Sequence, residues 1–580
     1  MLTNVQRYGE RHLFAFISLV GTIAVLWGML LPGYILTLDL VWVPHLPLVW
    51  ATDSFNNAYP LFAFFHYLSF VVPGWVGEKV MLVALFFLIF YLPMRCLPFI
   101  ESRFARMFAG LLYALNPFVY TRMLAGQWLV LAGYALLPLL LFSLERFTSR
   151  WSKRAAVELG LVLALIGVVS THFVYLALLV VTLRLTVHVA AQLRHTFQTK
   201  MVTVPIKTGE MCSSIFMIAV AFLLLSSFWI VPAMLRHAPV ESRFDTTHFE
   251  AFAAAPNGDV PVMLAVLTLG GFWGESQPWS LYFRWPQAEP LFWVAAAAVG
   301  ILVCVGVYAA LRRRLYIETF FLILLGLLAY VTALGAAQTP LRAFNMFLYA
   351  HMPMWEGLRD SQKIVGLLAL VYIVSAGLGV DLVVRSVRSK ARLAVVTCML
   401  VLIPALFGMY EWRGFHRQLQ PVWYPDGWAE AKAITDTLPP GEKVLVLPWH
   451  GYLSLPFNNQ LIVSNPAPAY FGETRVVAGK SIDLGAVHDE EVDATYRALD
   501  AVLSSETAPS SKTLSTLLHD DHIRHVLILA NGGTQSGSVN WTDLLGQGDA
   551  VDNREGEIGG KSGKIWVLGT VILKEIDLSD

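Results

Sequence analysis

Charge is scarce in this sequence. Only 14% of its 580 residues are Asp, Glu, Lys or Arg, against 56% hydrophobic, and the mean hydropathy is +0.59. Water-soluble chains run nearer a quarter charged, so so much apolar surface cannot be hidden in a soluble globule. The 41 basic and 41 acidic side chains cancel. Bulk electrostatics therefore gives no footprint for nucleic acid and no attraction to an acidic partner. Cysteine is rarer still. Cys96, Cys212, Cys304 and Cys398 all fall in apolar runs, and 412–580 holds none. A disulfide scaffold is excluded, and no Cys/His spacing suggests zinc. A cleavable signal is missing too: Arg7 and Arg11 precede a long apolar stretch without a clear small-residue cleavage site, which reads as an uncleaved first span.

What the chain has in abundance is apolar runs of membrane length. A helix needs about 17–25 residues to cross a hydrocarbon core of about 30 Å. Eleven candidates lie near 13–31, 79–97, 104–120, 127–145, 155–170, 172–187, 212–234, 291–311, 316–336, 363–385 and 393–411. The fifth and sixth are short and meet at Thr171–His172, so they read equally as a buried hairpin or a re-entrant pair. Basic clusters alternate with this count. Arg7/Arg11, Arg95/Arg103/Arg106, Arg146/Arg150/Lys153/Arg154, Arg194/Lys200/Lys207, Arg312–Arg314 and Arg385/Arg388/Lys390/Arg392 fall on one side, and the alternate loops carry isolated basics. The positive-inside rule then predicts a cytoplasmic N-terminus and, after an odd number of spans, everything beyond 411 outside.

The outer loops are acidic, aromatic and histidine-containing. Residues 32–78 include Asp39, His45 and Asp53; residues 235–290 include His237, Glu241, Arg243, Asp245 and His248; residues 337–362 include Arg359 and Asp360. The apolar stretch 260–271 is too short to span. The cluster from His237 to His248 reads first as a folded-loop network and second as substrate or metal contacts. His with carboxylate suits a divalent cation, but no spacing here is diagnostic, so no metal ligand is assigned. The outer tryptophans read as an interfacial aromatic belt before sugar-stacking platforms. His172, mid-membrane by this count, reads as a neutral histidine bonded to a neighbouring helix.

Composition shifts abruptly after Glu411-Trp412-Arg413. WAEAKAITDTL (428–438) has a helical pattern, GEKVLVLPWHGYL (441–453) reads as a buried strand entering a loop, and EEVDATYRALDAVL (490–503) as an amphipathic helix. SKTLSTLLHDDHIRHVLILA (511–530) reads as helix, turn and strand, and KIWVLGTVILKEIDL (564–578) as two closing strands. The expected organisation is a multi-span helical membrane domain, 1–411, followed by a mixed α/β extracytoplasmic domain, 412–580. The tail contains no GxGxxG, GxxxxGK(S/T) or GxSxG, so nucleotide-binding and hydrolase readings have no motif. Asn540-Trp541-Thr542 fits a glycosylation acceptor, a triplet common by chance.

Four features together resemble the GT-C superfamily of membrane glycosyltransferases, which use lipid-phosphate-linked sugars, and within it the branch of the actinobacterial α-arabinofuranosyltransferases. They are PGYILTLDLVWVP (32–44), NNAYPLFAFF (56–65), FAGLLYALNPFVYTRMLAGQWLVLAGYALLPLLL (108–141) and MWEGLRDSQKIVGLLAL (354–370). The resemblance covers 1–411 in layout and is diffuse in sequence. YPDGWAEAKAI (424–434) and VLVLPWHGY (444–452) also look like extracytoplasmic domains appended to such enzymes. It implies transfer of a sugar from a polyprenyl-phosphate donor to an acceptor hydroxyl of a glycan, lipid or protein at the outer membrane face, in cell-envelope assembly.

By that resemblance Asp39 stands where the family's first-loop acid stands, as general base, with Asp53 as second candidate. Arg122, Arg359 and Lys363 are placed to bind the donor phosphate, and Gln127, His237 and Arg243 to touch substrate. No cofactor is required by the motifs, and a divalent metal ion stays open. The residues also admit plainer roles. Asp39 reads alternatively as a loop acid or helix cap, although its setting between Leu38 and Leu40 predicts incomplete exposure. Asp53, amid Thr, Ser and Asn, reads more simply as a turn acid. Arg122 reads alternatively as a headgroup anchor, and Arg359 and Lys363 as partners of Asp360. Two other functions compete: a transporter or flippase, for which internal repeats and midplane charges are wanting, and a non-catalytic envelope-assembly scaffold.

Overall fold

The structure, a computed structural model, describes residues 4–48, 56–199, 208–235, 246–277, 284–353, 355–479, 494–503, 518, 523–529, 554–558, 561–568 and 571–575. Two compact units emerge: 1–28, 50–61 and 80–418 form one, and 29–49, 62–79 and 419–580 the other.

The first unit is helical. Among the described residues nine helices are long and apolar enough to cross a membrane, as expected of a multi-pass membrane protein. Two of the eleven expected spans fall short of them. The run predicted at 104–120 forms a helix only over Arg103–Ala114, because Asn116-Pro117 breaks it. The run at 155–170 forms Lys153–Val169, 17 residues. Ser170 alone separates it from Thr171–Thr199, 29 residues and much longer than the 172–187 expected. The 260–271 stretch makes only the six-residue helix Val262–Leu267.

Val365–Ser386 lies in the most buried of the membrane-length segments, with Val365–Asp381 inaccessible except near Tyr372. Small residues explain how closely it packs on Pro290–Arg312. A Cβ added at Gly306 would collide with the backbone carbonyl of Ser375, and one at Gly379 with that of Leu302. Such glycine contacts let helix backbones meet where lipid supplies no hydrophobic drive. Gly306→Val is therefore expected to cost about 1–3 kcal/mol, read as a lower thermal midpoint in detergent. Gly300→Val on the same helix, where an added Cβ meets nothing within 4 Å, should leave the midpoint unchanged; equal losses would refute the packing argument.

The second unit is mixed α/β. Its sheet has the order β4-β1-β5-β8-β7-β6, with β1 Lys443–Leu447, β4 Val476–Val477, β5 Ile523–Leu529, β6 Arg554–Ile558, β7 Lys561–Leu568 and β8 Val571–Glu575. β1 runs parallel to β4 and β5, and the remaining pairs are antiparallel. The predicted strand in GEKVLVLPWHGYL is β1, inaccessible over Val444–Leu447 as a strand covered on both faces should be. Helix Ala494–Leu503 lays Tyr496, Leu499 and Leu503 on it, and Trp449 donates its indole N–H to Asp500 at 2.8 Å. A separate hairpin pairs β2 Tyr452–Ser454 with β3 Ile462–Ser464. The composition break at 412 does not coincide with the limits of this unit, which also takes in 29–49 and 62–79.

Candidate functional site

Two of the expected groups of residues lie in different units. The first group gathers around Arg122. Asn116, extended at φ −162°, accepts from the Phe118 and Val119 N–H groups with Pro117 in the first turn. That cap starts the helix Pro117–Leu124, every residue of which is buried. The chain is therefore helical up to Leu124, and Gly126, at φ +69°, lies in the turn that leads into Trp128–Arg150.

Arg122, at the end of this helix, is 0% exposed. Its guanidinium forms a two-point ion pair with Asp360, Nη1 to Oδ2 at 2.5 Å and Nη2 to Oδ1 at 2.9 Å. It also donates to the side-chain oxygens of Gln127 and Gln362, between the rings of Phe118 and Phe272 at 5.7 and 4.9 Å. Burial alone would raise the Asp360 carboxyl, but Arg122, followed by Lys363, holds it below the usual carboxylate range. Asp360 thus pairs mainly with Arg122, a residue 238 positions away. Lys363 stands 3.9 Å from Asp360 and donates to His172 Nε2 at 3.0 Å. His172 is thus bonded to a neighbouring helix, as the sequence suggested. Arg359 lies over the Phe252 ring at 4.9 Å. Arg122 thus ties Gln127, Gln362 and Asp360 together by hydrogen bonds, Lys363 lies within ion-pair distance of Asp360, and Arg359 is its chain neighbour.

Glu275 borders the cluster. Burial pushes its carboxyl well above the ordinary range, only partly opposed by the Phe272 backbone N–H and by Arg122. An acid raised in this way favours the fold while protonated. That contribution is complete below the unfolded value, about 4.3, and declines as pH rises through the folded value. Glu275→Gln should therefore flatten the fall in thermal midpoint between pH 5 and 8 and unfold later than wild type at pH 8. An earlier unfolding at pH 8 would mean that the ionised carboxylate is wanted.

The second group centres on Asp39, in the α/β unit. Residues 34–40 are held there by backbone pairing. Tyr34 exchanges hydrogen bonds with Val422 at 2.7 and 2.9 Å, and Leu38 receives and donates one each with Ser464 and Ile462 at 2.8 Å. Gly33, at φ +118°, is needed for this approach, since a Cβ would lie 2.9 Å from the Val422 carbonyl. The buried Glu78 carboxylate accepts the Ile35 N–H at 3.0 Å, and Asn458 donates to the Leu36 carbonyl at 3.1 Å. Thr37 and Leu40 then close a two-residue turn through Leu38, at φ +35°, and Asp39.

This turn corrects one expectation. Asp39 is exposed, although Leu38 and Leu40 on either side are buried, because the turn points its flanks inward and its tip outward. The hydroxyl of Tyr452 donates to Asp39 Oδ1 at 2.7 Å. A carboxylate so held is accessible to an acceptor and able to take a proton. Tyr452 and Gln362 were missed from the sequence. Only the polar run Asp360-Ser361-Gln362-Lys363 at the mouth of an apolar span could have signalled Gln362. Asp53, His237 and Arg243, with Glu241 and Asp245, lie outside the described residues, as does Asn540. Among the described residues no three His, Cys, Asp or Glu side chains gather as a metal site would require.

No family model and no curated protein matches the sequence. Solved structures do. The arabinofuranosyltransferase AftD from Mycobacteria superposes with a TM-score of 0.60 at 17% identity, covering 98% of this chain and 40% of its own. A point mutant of AftD gives 0.61 at 17% identity, over 97% and 41%. The apo oligosaccharyltransferase of Archaeoglobus fulgidus gives 0.46 at 11% identity, over 90% and 70%. The chain spans about two fifths of the length of AftD, and over nearly all of its own length it shares the fold of that arabinofuranosyltransferase.

Proposed function

We propose that this protein is a membrane glycosyltransferase that moves a sugar from a lipid-phosphate-linked donor to an acceptor hydroxyl at the outer membrane face. The observation that carries the reading is the fold shared with AftD over 98% of the chain. In this proposal the β-rich region after 411 is extracytoplasmic, and the acceptor is a glycan, lipid or protein of the cell envelope.

Asp39 takes the proton of the acceptor hydroxyl as that oxygen attacks the anomeric carbon, and the bond to the lipid phosphate breaks with its electron pair. Tyr452 holds the carboxylate in place as a positioning residue. The leaving phosphate gains negative charge, which Arg359 and Lys363 offset. Arg122 shares that role if the phosphate competes with Asp360 for it. Gln127, His237 and Arg243 are proposed substrate contacts, Asp53 the second candidate for the base, and a divalent metal ion a further requirement to be tried in the assay.

The test is incorporation of radiolabelled sugar from a panel of polyprenyl-phosphate donors by membranes carrying the full chain, with and without divalent cation. Incorporation above control membranes supports the reading. No incorporation from any donor, with the chain shown folded, would sink it and bring the transporter or scaffold reading forward.

A further inference from the structure

A second polar site lies in the helical unit, at the other end of the same helices. Trp128–Arg150 begins beside the Arg122 cluster, and Glu145, 18 residues beyond Gln127, lines a separate open cavity of about 450 Å³. At 1.5 Å per residue the two are about 27 Å apart along that helix, close to the thickness of a hydrocarbon core. The cavity therefore sits at the opposite membrane interface from the Arg122 cluster and is independent of the proposed chemistry.

Its walls are basic. Arg95 comes from the end of Gly74–Cys96, Arg106 from the first turn of Arg103–Ala114, Arg146 from Trp128–Arg150, and Arg184 with His188 from Thr171–Thr199. The lining carboxylates are Glu145 and Glu318. Arg184 is 2% exposed and pairs with Glu145 through Nε at 2.6 Å and Nη2 at 2.8 Å, while its buried Nη1 has no hydrogen-bond partner among the described residues. A buried guanidinium N–H without an acceptor is costly to the fold, because its hydration is lost and nothing replaces it. Arg146 has its own partner in Glu158 at 2.9 Å. Arg95 has no hydrogen bond or ion pair among the described residues. A cavity lined by four arginines, one of which holds an unsatisfied buried donor, is suited to an anionic acceptor. A phosphate offers several such oxygens in the geometry that arginine matches.

We propose that this cavity binds a phosphate group, presented by the headgroup of an anionic phospholipid or as a small soluble phosphate. The test uses the purified full chain in detergent. Lipid retention is counted by native mass spectrometry with phosphatidylglycerol and phosphatidylcholine at equal mole fraction, and thermal midpoints are read with and without inorganic phosphate. Wild type is expected to retain phosphatidylglycerol about fivefold over phosphatidylcholine, and the half-exposed double variant Arg95→Ser/Arg146→Ser to lose that preference. Arg184→Gln should lose it too; should that variant fail to fold, the double variant decides. A preference for phosphatidylglycerol identifies the lipid as source. Protection by inorganic phosphate alone, abolished in the double variant, identifies a soluble phosphate. Neither effect in wild type, or both undiminished in the double variant, overturns the proposal.

Discussion

Asp39→Asn is expected to leave a folded chain that transfers sugar about 10²–10⁴-fold more slowly, the usual contribution of a general base. The substitution keeps the shape of the side chain, and its amide oxygen still accepts the Tyr452 hydroxyl, so the turn from Thr37 to Leu40 has no reason to open. What disappears is the ability to accept a proton. Tyr452→Phe makes the complementary change: the base remains and its tether is removed. That variant should fall between the two, with kcat reduced and KM for the donor little changed. Both are read in the radiolabel assay, alongside a thermal midpoint showing that the fold survives. Should Asp39→Asn match an active wild type, the base is another acid and Asp53 is the next to replace. The exposure of Asp39 makes this a clean experiment, because substitution at an exposed turn seldom changes stability by more than about 0.5 kcal/mol.

The largest loss of stability is expected from Asp360→Ala. Arg122 has no route to solvent, so removing its carboxylate leaves a buried, uncompensated cation, at a cost of about 3–5 kcal/mol. Replacing both, as Arg122→Met with Asp360→Leu, should recover much of that loss, since the pair's own net contribution is small once desolvation is counted. The measurement is denaturant or thermal unfolding of the purified variants in one detergent. A loss below about 1 kcal/mol in the single variant would show that the guanidinium is neutralised by something other than Asp360. The pH dependence has a definite sign. The folded-state acid lies below its ordinary value, about 3.9, so its contribution is complete above that value and fades only as pH falls through the folded one. Titration from pH 7 to 5 should therefore leave this pair intact, while the Glu275 contribution is regained as pH falls toward its unfolded value of about 4.3.

Local signals in the sequence carried further than long-range ones. Asn116-Pro117 announces a helix end because proline restricts the residue before it and asparagine caps the next turn, and the structure breaks there. The four-residue apolar run Val444–Leu447 announces a buried strand, and the WAEAKAI repeat a helix, which forms over Asp426–Asp436. The pairing of Arg122 with Asp360 is not legible in this way. Each is a single charge near the end of an apolar run, and nothing local records that the chain brings them together across 238 positions. Tyr452 and Asp39 are 413 positions apart. The exposure of Asp39 was misread for a physical reason: the residues on either side of an extended position point to the opposite face and do not report on its burial, and here they face inward from a turn that has Asp39 at its tip. The length of Thr171–Thr199 was underestimated because His188, Gln192 and Arg194 lower the hydropathy beyond 187, although the helix runs on through them; Arg184, inside the expected span, is buried in an ion pair with Glu145.

The segment that carries Asp39 is bridged at Leu38 to the tail hairpin and at Tyr34 to Val422, although it lies more than three hundred residues upstream of both. Cutting the gene where the composition changes would therefore divide a single piece of architecture. The Tyr34 and Leu38 amides and carbonyls would lose the partners that Val422, Ile462 and Ser464 provide, and the turn would lose its anchor. A chimera that exchanges tails between relatives would have to carry 29–49 and 62–79 across together with 419–580. The unit of inheritance for the acid is thus a spatial module assembled from three stretches of chain.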